Sequence, residues 1–245
     1  MMAAGRSAIT LYDIPSIARK SWSPNAWKAR LILNFKALPY STEWLELPEI
    51  STKMQVHNLV PNAAPTSPYT IPCILLLEGE GTKGVMGSRA IARALEDRFS
   101  MPSLHLGTKG TLRIEELAEK LLIASRPLWA YLLPERILTQ SSAQYYTDTR
   151  TKRFGMNLEL YCATHVSQQL WNELDDICGD IGDSLAKSSG PFLRGHAPSY
   201  GDFSIVAVLR FFNSADPAMF DHFCTVEPQL RKLYKACDQW LERDY

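Results

Sequence analysis

The sequence predicts two units of different class: a small mixed α/β unit over residues 1–100, then an all-α unit over residues 109–245. Three observations predict this. Short apolar, strand-like runs are confined to the part before residue 87. Beyond residue 110 the apolar spacing is helical almost throughout. Between them lies SMPSLHLGTKG at 100–110, interrupted by Pro102, Gly107 and Gly110. A composition shift at one linker is what two domains of different class produce. The 245 residues accommodate two ordinary domains of roughly 100–200 residues each.

Taken in order, Ile9–Tyr12 is a short apolar strand, broken by Asp13 and Pro15. Residues 16–23 are polar and turn-like. A helix starts at Pro24, with Ser23 as N-cap and proline at the first helical position, where its missing N–H costs nothing. Trp27, Leu31, Ile32 and Phe35 recur at the helical period, and Leu38-Pro39 ends the run. TEWLEL at 42–47 alternates polar and apolar as a half-buried strand does, and Pro48 opens a short helix over 49–57. The stretch 59–70, with Pro61, Pro65 and Pro68, resists regular structure. Residues 71–77 (IPCILLL) read as a buried strand, 79–81 as a hairpin turn, 84–86 as a return strand, and 88–99 as a helix with Ile91, Leu95 and Phe99 on one face. The order β-α-β-α-β-β-α places helices on both faces of a small sheet.

Composition narrows the function classes. Lys+Arg and Asp+Glu both total 26, and a balanced chain argues against nucleic acid as a main partner. The five cysteines, Cys73, Cys162, Cys178, Cys224 and Cys237, form no CxxC pair and no metal-ligand spacing, so they are expected to be reduced thiols. The first seven residues lack the apolar run of a secretory signal. No apolar stretch approaches the ~20 residues that span a bilayer. These readings point to a cytoplasmic protein with no membrane partner. Five histidines (57, 105, 165, 196 and 222) lack metal spacing, no metal is expected, and the absence of GxSxG disfavours a hydrolase.

Four local motifs bear on chemistry. Thr70-Ile71-Pro72-Cys73 admits a plain strand-edge proline or a cis Ile71–Pro72 bond that turns the Ile71 backbone toward an extended peptide ligand. Gly87-Ser88 opens a helix whose free N–H groups suit a carboxylate, although serine N-caps are common without any ligand. Ser23 can cap its helix or donate to a bound thiolate, and Ser21 is a rival hydroxyl. A thiol of pKa near ~8.5 must drop by about two units to ionise at neutral pH, which takes about 2.7 kcal/mol. One hydrogen bond to a charged acceptor supplies roughly 1.5–3 kcal/mol, and a helix N-terminus about 0.3–1 kcal/mol more. No metal or general base is required. Ser199-Tyr200-Gly201-Asp202 resembles a capping box, a structural device. Trp129, Tyr131, Tyr145, Tyr146 and Tyr161 are candidates for an aromatic pocket or for core.

With SPNAWK at 23–28, YTIP at 69–72, Gly87-Ser88 and the box at 199–202 in this order, the chain resembles a cytosolic glutathione transferase over nearly its whole length. The stretch SWSPNAWKARLILNFKALPYSTEWLELPEI is similar to the fungal-specific class related to bacterial lignin β-etherases. The resemblance implies a thioredoxin-like α/β N-terminal domain, an all-α C-terminal domain, and glutathione as co-substrate. It implies Ser23 as catalytic residue, Ile71 and Pro72 at the cysteinyl part of glutathione, and Ser88 at the γ-glutamyl carboxylate with Gly87 and Arg89 beside it. An acidic residue is common where this chain has Gly87, which leaves the γ-glutamyl amino group without its usual partner. Serine in place of cysteine at 23 favours conjugation or peroxide reduction over thiol transfer. Aromatic electrophiles or phenolics are the implied acceptors, with Leu112, Glu115, Glu119, Leu122 and Arg126 on the first C-terminal helix and just beyond it as candidate contacts. A homodimer is also implied. Two rival readings are a ligandin that sequesters polyphenols with little turnover and a non-enzymatic assembly protein.

Overall fold

The computed structural model describes residues 8–79 and 81–245; the expected absence of a signal over 1–7 and one residue of the hairpin turn lie outside the described residues. The N-terminal half runs β1 (Ile9–Asp13), α1 (Pro24–Phe35), β2 (Ser41–Trp44), a 3-10 turn (Leu47–Glu49), α2 (Ile50–Val56), β3 (Cys73–Glu78), β4 (Gly81–Met86) and α3 (Ser88–Arg98). The sheet order is β2-β1-β3-β4. β1 pairs with β2 in parallel, and β3 is antiparallel to both β1 and β4. This is the thioredoxin-like arrangement.

Helices follow without a strand: α4 (Lys109–Ala124), α5 (Arg126–Trp129), α6 (Leu132–Arg136), α7 (Gln140–Phe154), α8 (Leu158–His165), α9 (Gln168–Leu185), α10 (Tyr200–Ala215), α11 (Pro217–Val226), α12 (Pro228–Ala236) and α13 (Asp238–Leu241). α10 is the hub. Nearly every residue from Tyr200 to Phe212 is buried, and the helix packs against α4, α11 and, across the two halves, α1. Phe35 of α1 meets Phe203 and Trp240 edge-on, each at 5.2 Å between ring centres.

The strand expected over 42–47 is shorter, and its end has a physical cause. The Glu46 carboxylate accepts from the hydroxyls of Thr139 and Ser142 at the start of α7. Glu46 and Glu49 then form a reciprocal capping box around the 3-10 turn. The backbone N–H groups of Glu46 and Leu47 are taken by the Glu49 carboxylate at 2.8 Å and the Ser142 hydroxyl at 2.9 Å, so they are lost to the sheet ladder. The return strand is longer than expected, because all of Gly81–Met86 pairs with Cys73–Glu78.

The capping box at α10 has both limbs. Asp202 accepts from the Ser199 N–H at 2.7 Å and the Ser199 hydroxyl at 2.7 Å, and its second oxygen takes the Leu193 N–H at 2.9 Å. Burial pushes its carboxyl up, and these three hydrogen bonds oppose that push. Asp202→Ala removes the acceptor and orphans buried N–H groups, at an expected cost of about 3 kcal/mol. Urea unfolding at neutral pH checks this; a loss below about 1 kcal/mol contradicts it.

The last residues are stitched to the N-terminal half. Arg30 of α1 donates to the Asp13 carboxylate at 2.8 Å, to the Tyr245 carbonyl at 3.1 Å and to the Thr42 hydroxyl at 3.0 Å. The Arg30 and Asp13 side chains are both 0% exposed. Ser21 donates its N–H to the Asp244 carbonyl at 2.8 Å. Lys36, also buried, binds Glu96 and the carbonyls of Phe99 and Pro102 at 2.6–2.7 Å, fixing the exit from α3. Burial alone would raise the Glu96 carboxyl; hydrogen bonds from Lys36, Ser103 and Leu104 outweigh it and hold the group below its ordinary range.

Candidate glutathione and acceptor site

A cavity of about 600 Å³ opens between the two halves. Its N-terminal wall holds Ile14, Trp22, Ser23, Pro24, Asn25, Lys28, Leu47, Ser88 and Arg89. Its C-terminal wall is built by α4, α5, α7 and α10, through Glu115, Glu119, Leu122, Trp129, Tyr146, Tyr200 and Phe211 among others. The site thus needs both halves.

Ser23 is the N-cap residue of α1, in extended conformation, yet its hydroxyl makes no capping hydrogen bond. Pro24, at the first helical position, does not explain this, because a capping hydroxyl serves the N–H groups of the second and third positions. The Ser23 carbonyl accepts the Trp27 N–H at 2.9 Å, the first bond of the helix ladder. The hydroxyl is therefore unspent, at the positive end of a twelve-residue helix. The rival Ser21 is 2% exposed, its hydroxyl has no partner, and it does not line this cavity.

Ile71–Pro72 is a cis peptide, as are Ala64–Pro65 and Met101–Pro102. The Ile71 N–H and C=O make no intramolecular hydrogen bond among the described residues. Cys73 pairs with Met86, so Pro72 and Gly87 leave the sheet side by side, joined by a Gly87 N–H to Pro72 C=O bond of 2.8 Å. Gly87 has φ of 93°, a region that favours glycine. That accounts for glycine at this position. Ser88 follows as the first residue of α3, and no side chain caps the helix N–H groups.

The charged residues of this end are paired across the halves. Arg89 binds Glu115 at 2.7 Å and the Leu106 carbonyl at 2.9 Å, and lies over the Tyr200 ring at 5.3 Å. Burial raises the Glu115 carboxyl, with Arg89 and Lys28 acting against it. Burial likewise lowers Lys28, while Glu119 and Glu115 support its charge. Burial pushes the Tyr200 phenol up to about 12, opposed by its hydrogen bond with Ser88. Tyr146 is also pushed up to about 12 by burial, with Arg150 and Arg126 pulling it back. Both phenols are neutral donors near pH 7.

Most expected residues meet here. Ser23, Ser88, Arg89, Glu115, Glu119, Leu122 and Arg126 all line the cavity. Ile71, Pro72 and Gly87 do not line the cavity; Gly87 directly precedes Ser88 and is bonded to the Pro72 carbonyl. Leu112 does not line the cavity: it lies one turn before Glu115, with 48% of its surface exposed. Among the aromatic candidates Trp129 and Tyr146 line the cavity, whereas Tyr131 and Tyr145 are exposed and Tyr161 stacks on Phe154 at 4.1 Å. Sequence reasoning missed Trp22, Lys28, Arg150, Tyr200 and Phe211. Lys28 had a signal, four residues from Pro24 and three from Asn25 and so on the same face of α1 as both; Arg150 had none. No group of three His, Cys, Asp or Glu side chains placed to hold a metal occurs among the described residues. No helix among them is long and apolar enough to cross a membrane.

Comparison with known proteins agrees with this architecture. The chain is 28% identical to the glutathione S-transferase-like protein ustS of Aspergillus flavus, over 99% of this chain and 94% of that protein. It is 27% identical to the glutathione S-transferase-like protein OpS6 of Beauveria bassiana, over 87% and 88%. Glutathione transferase GSTFuA3 from Phanerochaete chrysosporium superposes with a TM-score of 0.77 at 25% identity, covering 98% of this chain and 100% of that one. A glutathione S-transferase of Ceriporiopsis subvermispora, solved in complex with glutathione, shares the fold with a TM-score of 0.79 at 24% identity, over 95% and 97% of the two chains. The glutathione S-transferase N-terminal domain model matches residues 22–98 and the C-terminal domain model residues 117–240, more than half of the chain, so this protein belongs to the glutathione S-transferase family.

Proposed function

We propose that the protein is a serine-type glutathione transferase that activates the glutathione thiolate for attack on an aromatic electrophile. The observation that carries this reading is the unspent Ser23 hydroxyl at the N-terminus of α1, in the same cavity as Ser88. Residues 1–100 form the glutathione domain in this reading and residues 109–245 the domain that receives the acceptor. Glutathione lies extended along the Ile71 backbone, whose N–H and C=O have no partner among the described residues, and its γ-glutamyl carboxylate meets Ser88 and the free N–H groups of α3. Glu119 and Glu115 supply the negative charge that Gly87 lacks for the γ-glutamyl ammonium. Ser23 donates to the sulfur, and the thiol proton leaves to solvent through the cavity mouth.

The thiolate then forms a carbon–sulfur bond with the acceptor, and a leaving group departs with its electron pair. Reduction of a hydroperoxide starts from the same thiolate: sulfur takes the terminal oxygen and becomes a sulfenic acid, the alkoxide leaves and is protonated to the alcohol, and the thiol of a second glutathione displaces water to complete the disulfide. The protein is read as a cytoplasmic homodimer acting on aromatic or plant-derived compounds. A ligandin is the second reading, favoured by glycine at position 87 and the aromatic far wall.

Calorimetric titration tests the placement of glutathione. Saturable binding of one glutathione per chain is expected, with Ser88→Ala weakening it roughly tenfold through loss of one hydrogen bond to a charged group, and Ser21→Ala leaving it unchanged. Absence of saturable binding, or indifference to Ser88→Ala, overturns the placement.

A further inference from the structure

Four cations line the cavity, and they fall into two sets. Arg89 is matched by Glu115 at 2.7 Å, and Lys28 by the fields of Glu119 and Glu115. Arg126 and Arg150 have no carboxylate. The Arg126 side chain makes no hydrogen bond or ion pair with any described residue. Arg150 donates to the Thr149 hydroxyl at 2.9 Å and lies over the Tyr146 ring at 4.8 Å. Burial disfavours its charged form most, and repulsion from Arg153 and Arg126 adds to that, while the Tyr146 and Tyr145 phenols act the other way.

These two arginines reach the cavity from different elements, at the first turn of α5 and near the end of α7. Their neighbours in the wall are aromatic. Trp129 meets Phe211 edge-on at 5.0 Å, and its indole N–H is tied to the Ser125 hydroxyl at 3.1 Å. Two like charges in a half-buried wall without a counter-charge are unfavourable unless an anion completes the set. Guanidinium groups suit planar oxyanions, which they grip with paired hydrogen bonds.

Resting on the transferase reading, we propose that the acceptor is an anionic aromatic compound, its carboxylate or sulfonate held between Arg126 and Arg150 and its ring against Trp129, Tyr146 and Phe211. The helix N-terminus and Ser88 serve the γ-glutamyl carboxylate of glutathione, and its glycyl carboxylate is the one competing anion, which the glutathione readout below distinguishes. The arginine pair therefore selects the second ligand and sets the orientation in which its reactive carbon faces the thiolate.

The test uses two fluorescent probes with the same aromatic body: 8-anilinonaphthalene-1-sulfonate and neutral N-phenyl-1-naphthylamine. Binding is measured on the full chain with saturating glutathione present. The sulfonate is expected to bind tighter, and Arg126→Met/Arg150→Met to weaken it at least about tenfold while changing the neutral probe and glutathione less than about twofold. Arg126→Lys/Arg150→Lys, which keeps the charge, is expected to restore part of the preference. Should the double variant fail to fold by circular dichroism, Arg126→Met alone is read, since that side chain bonds to none of the described residues; a loss of at least about threefold is then expected.

Equal weakening of both probes, no weakening, or no binding of either overturns the proposal. Glutathione affinity falling along with sulfonate affinity also overturns it, by assigning the arginines to the glycyl carboxylate of glutathione. Glutathione binding in the unmodified chain is a separate readout, so failure of the transferase reading is distinguishable from failure of this one.

Discussion

With Ser23 replaced by alanine, kcat/KM for conjugation of glutathione to an aryl halide is expected to fall roughly 10–100-fold, with glutathione affinity nearly unchanged. The size follows from one hydrogen bond to a charged acceptor, about 1.5–3 kcal/mol. The split follows from geometry. Ser23 caps α1 with its backbone and spends no side-chain bond on the fold, so its removal leaves the helix intact. Ser88 and the Ile71 backbone, which hold the peptide, lie elsewhere. Steady-state kinetics in both substrates checks this. A variant that loses glutathione affinity in step with kcat/KM would assign Ser23 to binding, not activation.

The second large effect concerns stability. Arg30→Met is expected to cost about 3–5 kcal/mol, because Asp13 is left as an uncompensated buried charge. At about 2–4 °C per kcal/mol for a chain of this size, Tm drops by roughly 6–20 °C. The bonds from Arg30 to the Tyr245 carbonyl and Thr42 are lost as well, which leaves the last residues held by the Thr42 hydroxyl on Tyr245 and the Ser21 N–H on Asp244. Asp13 directly precedes Ile14, a cavity residue whose N–H its carboxylate accepts at 2.7 Å. The double variant Asp13→Leu/Arg30→Met removes both charges and should recover much of the loss. Thermal unfolding of the three proteins decides it; a single variant within about 1 kcal/mol of the unmodified chain contradicts the account.

These two sites also show what a sequence discloses. The start of α1 was legible because Ser23-Pro24 is a local signal, and so was the α10 box, whose members sit three residues apart. Pro72 and the Gly87-Ser88 helix start were likewise readable within a few residues. The end of β2 was not, since Glu46 is held by hydroxyls 93 and 96 residues away. Arg30 looks like any helical arginine until the fold brings Asp13 and the Tyr245 carbonyl to it. Placing the acceptor contacts on the first C-terminal helix and just beyond it selected Leu112, which does not line the cavity, and missed Arg150, which α7 carries in from the side. Local chemistry is written locally; a cavity between two halves is set by packing.

The central claim is that Ser23 stabilises a glutathione thiolate. The most direct measurement is the near-ultraviolet difference absorbance of bound glutathione at neutral pH, in the unmodified protein and in Ser23→Ala. A thiolate band that appears on saturation and is lost in Ser23→Ala, with binding retained, is the predicted result. Saturable binding with no thiolate band in either protein would contradict the claim and leave a ligand-binding protein on a transferase fold.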